Sequence, residues 1–107
     1  MSKSFDKLFW HDGNLTDVSF SIDAKGKSTV QLQALFYKDE QAPQRQPYQI
    51  RCEAVSRFQC TLDSDELKRN MFAGNISNGY LKGDTLWIYF TDGLLEVRAL
   101  RFRLMKS

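Results

Sequence analysis

Fifteen residues, Tyr48 to Leu62, alternate in character with almost no break. The even positions read Tyr48, Ile50, Cys52, Ala54, Ser56, Phe58, Cys60 and Leu62, and the odd ones Gln49, Arg51, Glu53, Val55, Arg57, Gln59 and Thr61. Successive side chains of a strand point to opposite sides, so this run is a long strand with one buried and one solvated face. Such a strand belongs to an antiparallel sheet, because parallel sheets are normally covered on both faces. The pattern constrains architecture strongly and chemistry hardly at all.

A chain of 107 residues makes one domain, spanning 1–107. Its aromatic share of 13% supplies large apolar bodies for a core. The net charge of +2 is too small to argue for nucleic acid. The charge is uneven, however: Val97 to Ser107 holds Arg98, Arg101, Arg103 and Lys106 and no acid. The solvated face of a last strand accounts for such a run. Near the start, Lys3, Asp6 and Lys7 interrupt the apolar stretch that a signal peptide needs. No apolar run approaches the ~20 residues of a membrane span. The expectation is a soluble, cytoplasmic protein with no membrane attachment.

The two cysteines, Cys52 and Cys60, share a face of the same predicted strand. Their separation along it is roughly 26 Å, whereas a disulfide needs Cα atoms within about 7 Å. Both read as small buried hydrophobes. One histidine and two distant cysteines also argue against a structural zinc site.

Along the chain, Ser4 to Trp10 suits a short helical turn capped by Ser4, with Phe5, Leu8 and Phe9 on one side. His11-Asp12-Gly13-Asn14 is a turn-rich break. Leu15 to Ala24 is a strand with Val18, Phe20, Ile22 and Ala24 inward, and Lys25-Gly26-Lys27 closes a hairpin onto Thr29 to Lys38. Asp39 to Pro47 is polar, carries both prolines and has no period, so it reads as a long loop. After the long strand, Asp63 to Phe72 is the one good helix. Asp63 and Glu66 form a capping-box pattern, Leu67 and Met71 lie at i, i+4, and Gly74 is the stop. Ile76 to Lys82 is a strand interrupted at Asn78-Gly79, and Gly83-Asp84 is a turn. Thr85 to Thr91 puts Leu86, Ile88 and Phe90 on one face and Trp87 and Tyr89 on the other. Asp92-Gly93 is a type I′ signal. In the last strand, Leu94 to Met105, the apolar positions change from odd (Leu95, Val97, Ala99) to even (Leu100, Phe102, Leu104). One inserted residue near Ala99-Leu100, a β-bulge, would restore a single inward face.

The sum is an α+β, mainly β fold. We expect a twisted antiparallel sheet of about six strands, a meander or a partly closed barrel, with one helix packed across its apolar face.

Catalytic chemistry finds little material. A nucleophilic triad needs a base beside the nucleophile, and the only histidine is His11. Its neighbour Asp12 is adjacent in sequence, and adjacent residues of extended chain point apart. The corner reading has Trp10 covering the end of the core while His11 or Asp12 bonds free backbone groups. Asp17 and Asp23 lie roughly 20 Å apart along one strand, too far for paired carboxylates. The glycines are scattered one per turn, with no phosphate-cradling loop. No cofactor is implied.

The outward faces say more. Trp87 and Tyr89 oppose an apolar inward face, with Arg98, Arg101 and Arg103 expected on the neighbouring strand. Exposed Trp, Tyr and Arg are the types enriched at binding hot spots. Aromatics beside arginines could also stack the bases of single-stranded nucleic acid, a class the small net charge disfavours. The alternative is that the N-terminal Phe5-Leu8-Phe9-Trp10 segment covers this face.

The chain opens with Phe9-Trp10-His11-Asp12 before a strand. It closes with Leu86-Trp87-Ile88-Tyr89-Phe90-Thr91-Asp92-Gly93 followed by Glu96-Val97-Arg98-Ala99. This layout resembles small bacterial all-β proteins of the immunity-protein kind found in polymorphic toxin systems, over the two ends of the chain. The resemblance implies a cytoplasmic protein that binds one toxin and blocks it, without catalytic residues. The expected binding surface is Trp87, Tyr89, Arg98, Arg101 and Arg103, together with the loop from Asp39 to Pro47. The partner is another protein or, through this face or an unprotected edge strand, a second copy of the chain. A small enzyme using His11 with Asp12 is the third reading.

Overall fold

The computed structural model describes residues 2–70 and 74–107. Helix α1 (Ser2–Asp6) precedes β1 (Asn14–Ile22), β2 (Ser28–Tyr37) and the long β3 (Arg45–Thr61). Helix α2 (Ser64–Arg69) follows, then β4 (Ile76–Lys82), β5 (Thr85–Phe90) and β6 (Gly93–Lys106). The six strands form one antiparallel sheet in the order β1-β2-β3-β6-β5-β4, which is the mainly β class expected. The order is not that of a single meander. Two three-stranded meanders lie side by side, joined through β3 and β6. The sheet stays open, but its outer strands meet at one end, where Gly13 and Ile76 form an isolated antiparallel bridge.

The joint between the halves is irregular. Cys52 pairs with Phe102, Glu53 with Arg101 and Val55 with Ala99, and then Arg57 pairs with Arg98, one residue out of step. The extra residue therefore belongs to β3, opposite the site expected on β6. Just before the shift, which falls between Val55 and Arg57, Ala54 adopts φ 56°, a left-handed conformation that alanine adopts rarely. On β6 the change of phase is real. Leu95, Val97 and Ala99 are buried, then Phe102, while Leu100 stands 81% exposed. Both halves thereby turn their apolar positions toward the same side. The buried even-numbered positions of β3 stop at Cys52: Phe58 packs only partly buried against the core, Ser56 and Cys60 are exposed, and so is Leu62 just beyond the strand. Pairing explains it: β2 reaches only to Thr29 opposite Glu53, so beyond this point β3 keeps β6 alone as neighbour. Cys60 is thus a surface thiol, whereas burial pushes the Cys52 thiol up to about 12.

The core draws Val30, Leu32 and Phe36 from β2, Ile50 and Cys52 from β3, Leu86 and Ile88 from β5, and Leu95, Val97 and Phe102 from β6. Among the described residues the expected cover does not form. Helix α2 buries none of its residues, and Met71 and Phe72 of the expected helix lie outside the described residues. Its cap is as read: the Asp63 carboxylate accepts from the amides of Asp65 (3.0 Å) and Glu66 (3.2 Å). Glu66 turns away to Arg69 (2.8 Å) instead of closing the capping box.

The N-terminal segment fills the core instead. Phe5 packs edge-on to Phe102 with ring centroids 6.4 Å apart. Trp10 packs edge-on to Phe36 at 5.4 Å and lies over Gly79, where a Cβ would come within 2.5 Å of the indole. β4 runs through Asn78-Gly79 with its pairing to β5 shifted between Ile76 and Asn78, and Gly79 makes room for Trp10. Gly93 has a similar role. The last turn is Thr91-Asp92, and Gly93 opens β6 where any side chain would strike the Thr61 carbonyl. At the opposite end the inward Phe20 and Ile22 of β1 are 49% and 63% exposed. Phe20 stacks on Phe58 at 6.0 Å.

Trp10→Ala should cost ~3–5 kcal/mol of stability, the range for deleting a buried aromatic. Gly79→Ala should also destabilise, by driving a methyl into the same ring. Leu100→Lys should stay within about 0.5 kcal/mol of the parent. Chemical denaturation of the three variants reads all of these.

Candidate binding face

The core side of the sheet fixes what the other side displays. Outward positions of β5 are Trp87 and Tyr89, and Tyr80 of β4 pairs directly with Trp87. The Tyr80 ring lies 4.9 Å from Trp87 and 6.1 Å from Tyr89, the second pair stacked at 24°. The hydroxyls of Tyr80 and Tyr89 meet at 3.4 Å, and this contact raises the Tyr89 phenol above its ordinary value. The Trp87 indole donates to Glu96 Oε2 at 2.9 Å, and Arg57 Nε lies 3.6 Å from the other oxygen of that carboxylate. The result is a three-ring aromatic plate with an acid tied to its border. Trp87 and Tyr89 are half-buried and Tyr80 is exposed. Sequence reasoning missed Tyr80. The Gly83-Asp84 turn, which sets Lys82 against Thr85 and hence Tyr80 against Trp87, was the signal that could have found it.

The second feature centres on Glu53. It sits at an outward position of β3, opposite Arg101 of β6, yet is only 6% exposed. Four cations cover it. Lys27 Nζ donates to Oε2 at 3.2 Å, and Arg51 Nε lies 3.6 Å from the same oxygen. Arg101 Nε and Arg103 Nε lie 3.7 and 3.5 Å from Oε1. The Lys27 hydrogen bond, with the neighbouring charges, holds the Glu53 carboxyl below its usual range against the opposing effect of desolvation. Arg51 and Arg103 are cross-strand partners. One carboxylate therefore holds together cations that would otherwise repel. Three positive charges remain in excess on this part of the face. The sequence pattern placed Glu53 among solvated residues, because its burial comes from Lys27 and the arginines, which only strand pairing brings to it.

The expected surface is therefore two patches rather than one. Trp87 opposes Glu96, and Arg98 opposes Thr85 and lies 3.9 Å from Asp84. Arg101 follows Glu96 by five residues, ~16 Å along the strand. Arg101 and Arg103 belong with Lys27, Arg51 and Glu53. The N-terminal segment packs on the core side and leaves the outward face uncovered by Phe5 and Trp10.

The loop from Asp39 to Pro47 is shorter than expected. Tyr37 pairs with Arg45, so the connection is 38–44 and Pro47 lies within β3. Arg45 sits over the Tyr37 ring at 4.7 Å and donates through Nε to the Asp12 carbonyl at 2.7 Å. The loop belongs to the seam end, bordering a hollow with Phe9, His11 and Asp12. His11 and Asp12 do not point apart: Asp12 adopts φ 65°, and its Oδ2 lies 3.6 Å from His11 Nε2. His11 Nδ1 lies 3.4 Å from the Ser77 carbonyl, and the Asp12 amide donates to the Ile76 carbonyl at 2.9 Å. Both residues bond to the start of β4, as a structural corner would. Among the described residues no helix is long and apolar enough to cross a membrane.

Glu53→Gln should destabilise the protein at neutral pH, because four cations then face no anion. A carboxyl whose folded pKa is depressed contributes stability above its ordinary value and loses it as pH falls through the folded one. The parent should therefore lose more stability than Glu53→Gln between neutral and acid pH. Urea denaturation of both across that window measures the difference. In comparisons with family models, with curated proteins and with solved structures, nothing matches this chain.

Proposed function

We propose that this protein is a non-enzymatic binding protein that captures a single protein partner on the outward face of its sheet. The aromatic plate carries the reading. Tyr80, Trp87 and Tyr89 lie on the face opposite the core, where packing does not require them. Large rigid aromatics and arginines at a surface are the composition of binding hot spots. Trp87, Tyr89, Arg98, Arg101 and Arg103 form the docking residues, with Tyr80 added to them. In the manner of the immunity-like families that the two ends of the chain resemble, the partner is a bacterial toxin and capture blocks it. The protein acts in the cytoplasm.

A specific observation favours a second reading, self-association. Strand β1 is an edge, and its inward Phe20 and Ile22 are uncovered. Unprotected apolar edges are templates for pairing with another chain. Light scattering separates the two readings, since paired copies would have twice the monomer mass.

The primary test is affinity capture from native lysate, with Trp87→Ala and Arg101→Glu variants run beside the parent. One stoichiometric protein should survive a salt wash on the parent and be reduced at least about tenfold on either variant, a loss of ~1.4 kcal/mol of binding. Unchanged capture by folded variants would remove this face from the proposal.

A further inference from the structure

We infer that the Lys27–Arg51–Arg101–Arg103 cluster around Glu53 is the docking site for an acidic, extended segment of a protein partner. The inference rests on the binding reading above and names the chemistry of what is bound. Its first support is charge. Four cations surround one carboxylate, and the three arginine contacts to it run through Nε at 3.5 to 3.7 Å. These contacts are longer than the charge-assisted hydrogen bonds by which a guanidinium clasps a carboxylate bidentately. All four cationic side chains are substantially exposed, although the acid beneath them is buried.

The second support is spacing. Arg51 faces Arg103 across the strands, and Arg101 lies two residues from Arg103 on the same side of β6. Two residues of strand span ~6.6 Å. An extended segment lying along β3 and β6 repeats its side chains at the same interval, so acids at i and i+2 meet successive arginines. The polar neighbours Gln31 and Gln49 flank the row and can bond such a segment's backbone.

The third support is an unsatisfied atom. Glu53 Oε1 is buried and accepts no hydrogen bond; it is met only by the longer ion-pair contacts of Arg101 and Arg103, at 3.7 and 3.5 Å. A buried carboxylate oxygen gains from a short hydrogen bond that these longer contacts do not supply. A peptide offers an N–H at every residue, and one can reach Oε1 once Arg101 and Arg103 swing onto the ligand's carboxylates. A DNA phosphodiester backbone has no such donor. The aromatic plate that bases would stack on is also set apart from the cluster, ~16 Å along β6. These points select an acidic peptide over single-stranded nucleic acid.

The test is calorimetric titration of the full chain with decaglutamate, with single-stranded deca-deoxythymidylate, and with inorganic tripolyphosphate, at low and at physiological salt. Decaglutamate should bind best, and more weakly as salt rises. The Arg51→Gln/Arg103→Gln double variant, shown folded by circular dichroism, should lose about tenfold or more of that affinity. A Lys38→Gln/Lys68→Gln double variant, which removes the same charge elsewhere on the surface, should keep it. No decaglutamate binding at low salt, equal losses in the two double variants, or tighter binding of the oligonucleotide or tripolyphosphate would each overturn the inference. Partner capture that depends on Trp87 but not on Arg51 and Arg103 would overturn it while leaving the binding reading intact.

Discussion

The change of phase at the joint of β3 and β6 is the constraint on which the rest depends. Two long strands that kept strict alternation would carry the apolar residues of their two halves to opposite faces. The sheet would then need two covers, and the helices among the described residues are short. A left-handed Ala54 facing the exposed Leu100, followed by a one-residue register shift between Val55 and Arg57, accompanies the change that puts Leu95, Val97 and Ala99 on the same side as Phe102 and Cys52. The two meanders can then share one core, because a bulge also adds twist and bends the strand that carries it.

The curl leaves a gap between β2 and β4, and the N-terminal segment fills it. Trp10 touches Phe36 on one side and Gly79 on the other, and Phe5 reaches Phe102. Close packing explains why the fit is specific: a void lined by these rings would forfeit their dispersion contacts, and a larger residue at Gly79 would have no space. The bridge from Gly13 to Ile76 and the Asp12 amide bond to Ile76 hold the same seam through the backbone. His11 and Asp12 are thereby part of the closure, which is why their side chains meet there.

With the core side so arranged, the outward side is freed from packing and acquires a polarity of its own. One end carries stacked aromatics tied to Glu96, and the other carries cations gathered by Glu53. Glu53 is buried at a position whose periodicity says solvent, because the stems of Lys27 and the arginines cover it while their heads stay wet. The face thus offers two chemically distinct contacts to whatever lies across it. The uncovered Phe20 and Ile22 at the β1 edge are a separate feature, left by the open end of the curl.

Local pattern by itself determined the mainly β class, the positions of the six strands, the Asp63 cap and the change of phase in β6. Each of these follows from side-chain alternation or from hydrogen bonds between residues a few positions apart. It also indicated that Trp87 and Tyr89 turn away from the core. Strand pairing could not be read that way, because period 2 says which residues share a face and not which strands are neighbours. Tertiary structure alone therefore decided that β6 lies against β3, that Arg51 and Lys27 join Arg101 and Arg103 over Glu53, and that Tyr80 completes the plate. It also decided that the N-terminal segment rather than α2 fills the core. Apolar spacing on a short helix is satisfied equally by several partners, and only the curl of the sheet fixes which one fits.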